Sequence, residues 1–272
     1  MTDFQIPDFS AALKNALAED IGSGDITTNA IIPSDTLGEF VFVAREDLRL
    51  CGLPIMQEIF KTCDVELIAS ECDALKAGAK ILKIKGNTRY ILTHERVALN
   101  FLQHLSGIAT ITAKYVAELA GTNTKILDTR KTTPGLRALE KYAVRVGGGE
   151  NHRMGLYDMV MIKDNHIAAA GGIATAIEIA KKQNVRVEIE CDTLAQVEEA
   201  LRANPDIIML DNMNLQEMRA AVKLVNGAVK LEASGGVTLQ RVRKIAETGV
   251  DYISTSKITQ SANSVDIALD SI

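Results

Sequence analysis

The sequence predicts an α/β protein: an α+β unit with an antiparallel sheet, followed by parallel strands that close as a complete or incomplete barrel. Two observations lead to this prediction. In roughly the first hundred residues strands gather with few helices, whereas from Lys125 onward short apolar strands alternate with helices. The last strand ends, at Glu190, Asp211, Ser234 and Ser256, recur about every 21 to 24 residues, the length of one strand, one helix and two short loops.

The composition is that of an ordinary globular protein. Of 272 residues, 47% are hydrophobic and 24% charged, with a net charge of −5, which argues against disorder and against a fibre. The chain has no basic run with interleaved aromatic residues, so we expect no nucleic-acid partner. The four cysteines form no C-x-x-C pair, so buried packing is expected rather than metal ligation.

Membrane insertion and export are also not expected. No apolar run approaches the roughly 20 residues needed to cross a bilayer. The N-terminus, M-T-D-F-Q-I-P-D, lacks the charged and apolar regions of a leader. The sequence therefore predicts a cytoplasmic protein in a reducing environment.

The N-terminal elements begin with a short amphipathic helix over Phe9 to Glu19 and a loop, I-G-S-G-D-I-T-T, whose residues favour turns. E-F-V-F-V-A-R-E-D-L-R-L predicts a strand, and Leu53 to Thr62 a helix with Pro54 near its first turn. V-E-L-I-A-S and K-I-L-K-I-K-G-N-T-R-Y-I-L predict two or three more strands, with a turn at Gly86-Asn87.

A long helix is predicted next, capped by Thr93 and running toward Leu119. Arg96 lies beside the start of its apolar stripe, which is formed by Val97, Phe101, Leu105 and Ile108.

Six strands are predicted from Lys125 onward, and each ends on polar residues: K-I-L-D-T, D-M-V-M-I-K-D, V-R-V-E-I-E-C-D, D-I-I-M-L-D-N, V-K-L-E-A-S-G-G and D-Y-I-S-T-S. The helices predicted between the later strands are Leu194 to Ala203, Leu215 to Val225 and Leu239 to Thr248. Sites in such folds lie at the carboxyl ends of the strands, where these polar clusters fall.

Cations cluster in the segment from Lys125 to Ile167. Arg130 and Lys131 directly follow a strand; the alternative to a binding role is a solvated loop. His152 and Arg153 follow the triple glycine 147–149, which resembles a loop that closes around an anion, although a flexible turn or a structural histidine also fits. Lys163 ends a strand, where packing explains a lysine poorly. The cluster indicates a ligand that carries phosphates or carboxylates.

Acids and glycines at the following strand ends complete the candidate site. In V-E-I-E-C-D the period of two places Glu188, Glu190 and Asp192 on one face, where some of them are expected to pair with the basic cluster. Glu190 and Asp211 can steady a positive reacting centre, bind ribose hydroxyls or hold Mg²⁺ through water. A phosphate cradle is predicted at the last two strand ends, formed by Ser234, Gly235 and Gly236 and by the T-S of S-T-S-K, Thr255 and Ser256.

Beyond these residues, the chain resembles a known family in a series of motifs running in order from about Leu17 to Leu269: E-D-I-G-S-G-D-I-T-T, C-G-L-P, E-R-V-A-L-N-F-L-Q-H-L-S-G-I-A-T, D-T-R-K-T-T-P-G-L-R, G-G-G-E-N-H-R-M-G-L, I-K-D-N-H-I, L-D-N-M, S-G-G and E-T-G-V-D-Y-I-S. They resemble quinolinate phosphoribosyltransferase, a type II phosphoribosyltransferase. The resemblance implies an incomplete, seven-stranded type of α/β barrel over 111–264. It also implies an N-terminal open-faced α/β sandwich over 1–110, on which the tail 265–272 packs.

The resemblance also implies an activity and a set of site residues. The family joins quinolinate to phosphoribosyl pyrophosphate with Mg²⁺, releasing pyrophosphate and CO₂, in de novo NAD synthesis. It acts as a homodimer in which the arginine matching Arg96 reaches the partner's active site. The resemblance places Arg130, His152 and Arg153 at the quinolinate carboxylates, Lys131 and Lys163 near the substrate anions, Glu190 and Asp211 near ribose and metal, and Ser234 and Gly235 in the phosphate loop. The residues expected to be catalytic are Lys131, Lys163, Glu190 and Asp211.

The last strand end departs from the family. Where the family reads V-G-A-L-T-H-S, this chain reads T-S-K-I-T-Q-S, so Ser256 replaces a glycine and Gln260 a histidine. Lys257 is either an added phosphate cation or a solvated side chain. The alternatives to this activity are a paralogue associated with molybdenum transport, a phosphoribosyltransferase for nicotinate or nicotinamide, and a catalytically silent binding protein. The set of Arg96, Arg130, His152 and Arg153 favours a dicarboxylate, because another base leaves those cations unpaired.

Overall fold

A computed structural model describes residues 5–272. Residues 1–4, which begin the N-terminal segment M-T-D-F-Q-I-P-D for which no leader was predicted, lie outside the described residues. The chain forms two compact units. The first contains the chain up to Ala113 together with Thr133–Gly148 and Ser261–Ile272, and the second contains Lys114–Thr132 and Gly149–Gln260. The predicted boundary at 110/111 and the predicted packing of the tail stay predictions.

The first unit is built on an antiparallel sheet in the order β12-β1-β5-β3, with β2 and β4 as a separate pair. Its strands are β1 (Leu37–Ala44), β2 (Leu48–Arg49), β3 (Asp64–Leu67), β4 (Ala74–Leu75), β5 (Lys80–Asn87) and, from the end of the chain, β12 (Ile267–Ser271). Its helices are α1 (Ser10–Ile21), α2 (Ile26–Ile31), α3 (Leu53–Ile59), α4 (Thr88–Glu118, which continues into the second unit) and α5 (Arg137–Val146).

Two sequence predictions for this unit are wrong. T-R-Y-I-L does not form a strand after a turn at Gly86-Asn87, because β5 ends at Asn87 and α4 begins at Thr88. The Asn87 side chain accepts the backbone N–H of Tyr90 at 3.1 Å, so it caps the helix six residues before Thr93. Thr93 lies inside α4 and donates to Asp25 at 3.3 Å. The loop I-G-S-G-D-I-T-T also contains the start of α2, which Asp25 caps.

The remaining N-terminal predictions hold with changed bounds, and the helix predicted over Phe9 to Glu19 is α1, Ser10–Ile21. The strand predicted from Glu39 to Leu50 divides into β1 and β2, and the helix predicted over Leu53–Thr62 ends at Ile59. The predicted apolar stripe of α4 is buried throughout, at Val97, Phe101, Leu105 and Ile108. The stripe therefore gives the helix a core face.

The second unit contains all six predicted strands: β6 (Lys125–Leu127), β7 (Val160–Ile162), β8 (Val187–Cys191), β9 (Ile207–Asp211), β10 (Lys230–Ser234) and β11 (Tyr252–Ser254). They form one parallel sheet in the order β6-β11-β10-β9-β8-β7. An isolated bridge joins Leu127 to Glu150 beside β6. Among the described residues β6 and β7 are the edges of the sheet. The predicted combination of an incomplete α/β barrel with an N-terminal antiparallel unit is therefore confirmed.

Helices follow the strands: α6 (Asp164–Ala170), α7 (Ile173–Lys181), α8 (Leu194–Ala203), α9 (Leu215–Val225), α10 (Leu239–Ala246) and a 3₁₀ turn over Ser256–Ile258. The bounds of α8 and α9 are the predicted ones, because Thr193 and Asn214 start capping boxes and Asn204 and Asn226 end the helices in left-handed conformations. These short connections bring the carboxyl ends of all six strands to one edge.

The described residues contain no helix that is both long and apolar enough to cross a membrane.

Candidate active site

A cavity of about 750 Å³ lies at the carboxyl ends of the six parallel strands. Its lining includes every site residue that was predicted from the second unit: Arg130, Lys131, His152, Arg153, Lys163, Glu190, Asp211, Ser234, Gly235, Gly236, Thr255 and Ser256. Arg96 is not among the lining residues; it is an exposed residue of α4. The structure thus brings together the residues predicted from separate strand ends, while their individual roles stay predictions.

Two guanidinium groups and two lysines form the basic part of the cavity. Burial and the charge of Arg130 lower the pKa of Arg153, so the two arginines are close enough to repel each other. The contacts of the Arg153 guanidinium to Met159 O and Met161 Sδ are long, at 3.4 and 3.5 Å. Adjacent cations of this kind are stabilised when an anion lies between them.

Lys163 and Glu190, at the ends of β7 and β8, form an ion pair inside the cavity. His166, interpreted as structural, accepts the backbone N–H of Lys163 at 3.0 Å and so helps to start α6. The predicted pairing of an inward acid with the basic cluster is present here. Of the other acids on that strand face, Glu188 is buried, whereas Asp192 is exposed.

Asp211 ends β9 beside Glu190. Burial, followed by the charges of Glu190 and Asp192, raises the pKa of Asp211, while Lys163 and a 2.7 Å hydrogen bond from Asn212 oppose that rise. Negative charge is therefore concentrated at this end of the cavity. A bound cation, or a substrate carbon that becomes positive, would relieve it.

The S-G-G loop approaches Asn212 closely. Gly235 has a φ of 88°, and a Cβ added there would lie 2.1 Å from Asn212 Oδ1. The backbone N–H of Asn212 donates to the carbonyl oxygen of Ser234 at 3.0 Å, which joins the ends of β9 and β10. The position therefore requires glycine, and it leaves the backbone of the loop accessible to a ligand.

The T-S-K turn forms the neighbouring part of the lining. Thr255 Oγ1 accepts the backbone N–H of Lys257 at 3.2 Å, and Ser256 begins the 3₁₀ turn. Thr259 donates through its hydroxyl to the carbonyl oxygen of Lys131 at 2.9 Å. Lys257 is exposed and lines the cavity, which places its charge within reach of an anionic ligand.

Three buried acids that lie beneath the basic residues complete the site, and two of them were missed from the sequence. Asp128, Glu188 and Glu232 are each 0% exposed. Asp128 accepts the side-chain N–H of Asn151 at 2.6 Å and the backbone N–H of His152 at 2.9 Å. The signal for Glu232 was present in K-L-E-A-S: an acid two residues before Ser234 lies on the same strand face.

His152 lies between Glu188 and Glu232. Its Nε2 atom is 3.0 Å from Glu188 Oε2 and 3.5 Å from Glu232 Oε2. Burial lowers the pKa of His152, but the two carboxylates outweigh burial and raise it to about 10. Burial and the charge of Glu232 raise the pKa of Glu188 to about 7. Because Nδ1 accepts the backbone N–H of Arg153 at 2.7 Å, the protons that the group holds lie on Nε2 and on the carboxyl groups that face it.

Comparison with known proteins agrees with this fold and this cavity. The model of the quinolinate phosphoribosyl transferase N-terminal domain matches residues 25–106, and the model of the C-terminal domain of the same family matches residues 108–270. Nicotinate-nucleotide pyrophosphorylase [carboxylating], chloroplastic, of Arabidopsis thaliana is 45% identical over 96% of this chain and 82% of its own length.

Bacterial proteins are similarly close. The probable nicotinate-nucleotide pyrophosphorylase [carboxylating] of a Synechocystis strain is 46% identical, over 92% of this chain and 88% of its own length. The crystal structure of nicotinate-nucleotide pyrophosphorylase from Ehrlichia chaffeensis superposes with a TM-score of 0.95 at 46% identity, over 98% of this chain and 100% of that one.

Proposed function

The chain belongs to the quinolinate phosphoribosyltransferase family, and from this membership we propose the reaction of its cavity. The enzyme transfers the phosphoribosyl group of phosphoribosyl pyrophosphate to the ring nitrogen of quinolinate. Pyrophosphate and CO₂ leave, and nicotinate mononucleotide is formed in NAD biosynthesis. The observation that carries this function is the lining of the cavity, which joins a basic part to a pair of acids and two candidate phosphate loops.

The basic part fits a planar dicarboxylate. Arg130 and Arg153 provide planar guanidinium groups, which bind carboxylates through two parallel hydrogen bonds, and Lys131 and Lys163 add charge near the ring. A monocarboxylate leaves part of this charge without a partner, which is costly in a desolvated site. Quinolinate therefore fits better than nicotinate, and better than the base of a paralogue associated with molybdenum transport.

The phosphate groups fit the two loops that end β10 and β11. Ser234, Gly235 and Gly236 line the cavity before α10 and offer backbone N–H groups, and Ser256 does the same at the end of the neighbouring strand. Thr255 contributes its side chain to this lining, because its backbone N–H donates to the carbonyl oxygen of Leu127 at 3.1 Å. The sugar then lies between these loops and the basic residues, beside Glu190 and Asp211. Both acids stabilise the positive charge that develops on the ribose as pyrophosphate leaves.

Decarboxylation follows from the charge on the ring. Once the ring nitrogen carries the ribose it is cationic, and it stabilises the carbanion left when the adjacent carboxylate departs as CO₂; the carbanion then takes up a proton from water. The arginines hold the second carboxylate in place during this step. The product keeps that carboxylate, as nicotinate mononucleotide requires.

Glu190 and Asp211 also fit a divalent cation. Their oxygen donors are of the type that Mg²⁺ prefers, and burial, followed by the charge of Glu190, raises the pKa of Asp211. Mg²⁺ held there through water and substrate oxygens would carry the charge of the leaving pyrophosphate. Lys163 keeps the Glu190 carboxylate oriented toward that position.

A homodimer completes the proposal, with Arg96 of one subunit serving the cavity of its partner. Arg96 is exposed on α4 and does not line the cavity, although a further cation suits a dianionic substrate. Leu156 and Tyr157, just after Arg153, are 74% and 81% exposed, which suits a subunit contact beside the site. A cytoplasmic location is part of the same proposal. The four cysteines, all within the described residues, form no disulfide bond, which supports it.

One assay tests the function. The protein is incubated with Mg²⁺, phosphoribosyl pyrophosphate and carboxyl-labelled quinolinate, and nicotinate mononucleotide, pyrophosphate and labelled CO₂ are measured in parallel. We expect equal amounts of the three products and little reaction with nicotinate. Arg130→Ala should abolish most turnover, whereas the exposed Arg202→Ala should not. Turnover of nicotinate at a comparable rate, or ribosylation without CO₂ release, would show that the assignment is wrong, and so would the absence of pyrophosphate release.

A further inference from the structure

His152, Glu188 and Glu232 form a buried group below the basic part of the cavity. The side chains are 6%, 0% and 0% exposed, and single nitrogen and carboxylate oxygen atoms of the three lie within 4.8 Å of one another. Glu188 lies in β8 and Glu232 in β10, so the group depends on the parallel sheet and not on one local segment. None of the roles proposed above for the acids of the cavity involves Glu188 or Glu232.

Packing alone does not explain two acids at these positions. Within the described residues neither carboxylate has a hydrogen bond of good geometry, and the close polar contacts of both are with His152 Nε2, at 3.0 and 3.5 Å. A buried carboxylate without further hydrogen bonds costs several kcal/mol, in order of magnitude, relative to an apolar side chain of similar size. The acids therefore have an effect on His152 that an apolar side chain would not provide.

The spacing of the group would suit a metal ion, but the hydrogen bond on the other ring nitrogen argues for a proton. The backbone N–H of Arg153 donates to His152 Nδ1 at 2.7 Å. Nδ1 therefore presents its lone pair, and the proton of the neutral ring lies on Nε2. A protonated Nε2 has no lone pair for a metal, and it faces the two carboxylates.

We propose that Glu188 and Glu232 are positioning residues for the dicarboxylate substrate, because they fix the ring of His152 and, through Nδ1, the backbone of Arg153. Both ring nitrogens of His152 are then engaged within the protein. The guanidinium of Arg153, with its long internal contacts, is directed at the ligand. Asp128 fixes the same segment from the preceding side through the backbone N–H of His152. This inference rests on the proposed reaction with quinolinate.

Replacement of Glu232 separates positioning from packing. In Glu232→Leu the ring loses one carboxylate, so Arg153 is held less firmly. We expect the KM for quinolinate to rise about tenfold or more, while the KM for phosphoribosyl pyrophosphate stays within about twofold. Glu232→Gln keeps an acceptor oxygen and should restore most of the affinity. The exposed Glu199→Leu in α8 is the control and should change neither KM. Thermal unfolding should show that the Leu variant is folded.

The tautomer of His152 is tested independently of activity. In ¹⁵N-histidine-labelled protein, the His152 signals, assigned by comparison with His152→Phe, should show a protonated Nε2 and an unprotonated Nδ1. A proton on Nδ1 alone, or a metal ion bound stoichiometrically at the group, would overturn the inference. An unchanged KM for quinolinate in folded Glu232→Leu would overturn it too, as would equal losses for both substrates. If the wild-type enzyme does not turn over quinolinate, the proposed function fails first, whatever the tautomer.

Discussion

The hydroxyl group of Thr259 donates a hydrogen bond of 2.9 Å to the carbonyl oxygen of Lys131. Thr259 is 3% exposed and ends the turn that begins at Ser256, whereas Lys131 follows β6. The bond therefore joins the candidate phosphate turn to the loop that carries two of the cations. Because both loops line one cavity, a phosphate group bound at the proposed turn would help to fix the lysine on the other side.

Thr259→Val should uncouple these loops. The valine has a similar shape but no donor, so the carbonyl oxygen of Lys131 loses its partner in a partly buried hydrogen bond, at a cost of about 0.5–1.5 kcal/mol. We expect kcat/KM to fall about tenfold, and to fall by a similar factor for each of the two substrates. Thr259→Ser keeps the hydroxyl and should retain most activity. Steady-state kinetics with each substrate varied in turn measures this; equal activity of the Val and Ser variants would show that the bond has no role in the site.

Gly235→Ala should damage the phosphate loop specifically. The added Cβ would lie 2.1 Å from Asn212 Oδ1, so the loop and the end of β9 must separate. We expect the KM for phosphoribosyl pyrophosphate to rise by about tenfold to a hundredfold, and that for quinolinate by less. Gly227→Ala is a matched control, since Gly227 also has a positive φ but no atom within 4 Å of the added Cβ.

The control separates backbone strain from the clash. Both variants place alanine in a left-handed conformation, which costs about 1–2 kcal/mol of stability. Both should therefore unfold at slightly lower urea concentrations. Only Gly235→Ala should lose affinity for phosphoribosyl pyrophosphate. If the two variants have the same KM for phosphoribosyl pyrophosphate, Gly235 has no role in the phosphate site.

Most of the barrel and its site could be predicted because the signals are local. Each strand is a short apolar run that ends on polar residues, and parallel strands bring those ends together at one edge. The bounds of α8 and α9 were predictable for a similar reason: the capping residues, Thr193 and Asn214 at the starts and asparagines at the ends, are visible in the sequence.

The contacts that could not be predicted depend on register between distant segments. Nothing near Thr259 indicates that its hydroxyl reaches Lys131, 128 positions earlier. Glu232 could be placed on the inner face of β10, but its approach to His152 depends on the sheet order β10-β9-β8. The start of α4 was misplaced because apolar residues occur on both sides of Gly86-Asn87 in K-I-L-K-I-K-G-N-T-R-Y-I-L, and the capping role of Asn87 competes with a turn signal at Gly86-Asn87.

Glu140 gives a prediction about pH and stability. This acid of α5 is 0% exposed, and it receives His104 Nε2 at 2.9 Å and the backbone N–H of Thr133 at 3.2 Å. Burial would raise the pKa of Glu140, but the hydrogen bonds from His104 and Thr133 outweigh it and lower the pKa below the ordinary 4.5. The native state thus favours the ionised form. Its stabilising effect is present above pH 4.5 and is lost as the pH falls through the lowered value.

Glu140→Gln should therefore be less stable than the wild type at pH 7, by about 1–3 kcal/mol, and the difference should narrow below about pH 4.5. Urea midpoints measured from pH 7 down to pH 3.5 test this. The exposed Glu199→Gln serves as the control and should parallel the wild type. A constant difference across the whole pH range would show that ionisation of Glu140 does not stabilise the fold.

The proposed exchange of Arg96 between subunits can be tested by mixing two inactive variants. In Arg96→Ala every cavity lacks the partner's arginine, and in Lys163→Ala every cavity lacks its own lysine. A hybrid dimer has one cavity that combines an intact Lys163 with an intact Arg96 from the other chain. If mixing is random, half of the dimers are hybrids with one intact cavity each, so activity should recover to about 25% of the wild type.

Mixing Arg130→Ala with Lys163→Ala is the control. It gives no intact cavity and should recover no activity, since both residues line the cavity of their own chain. If the subunits exchange and the first mixture still recovers no activity, Arg96 acts within its own chain or has no role in the reaction.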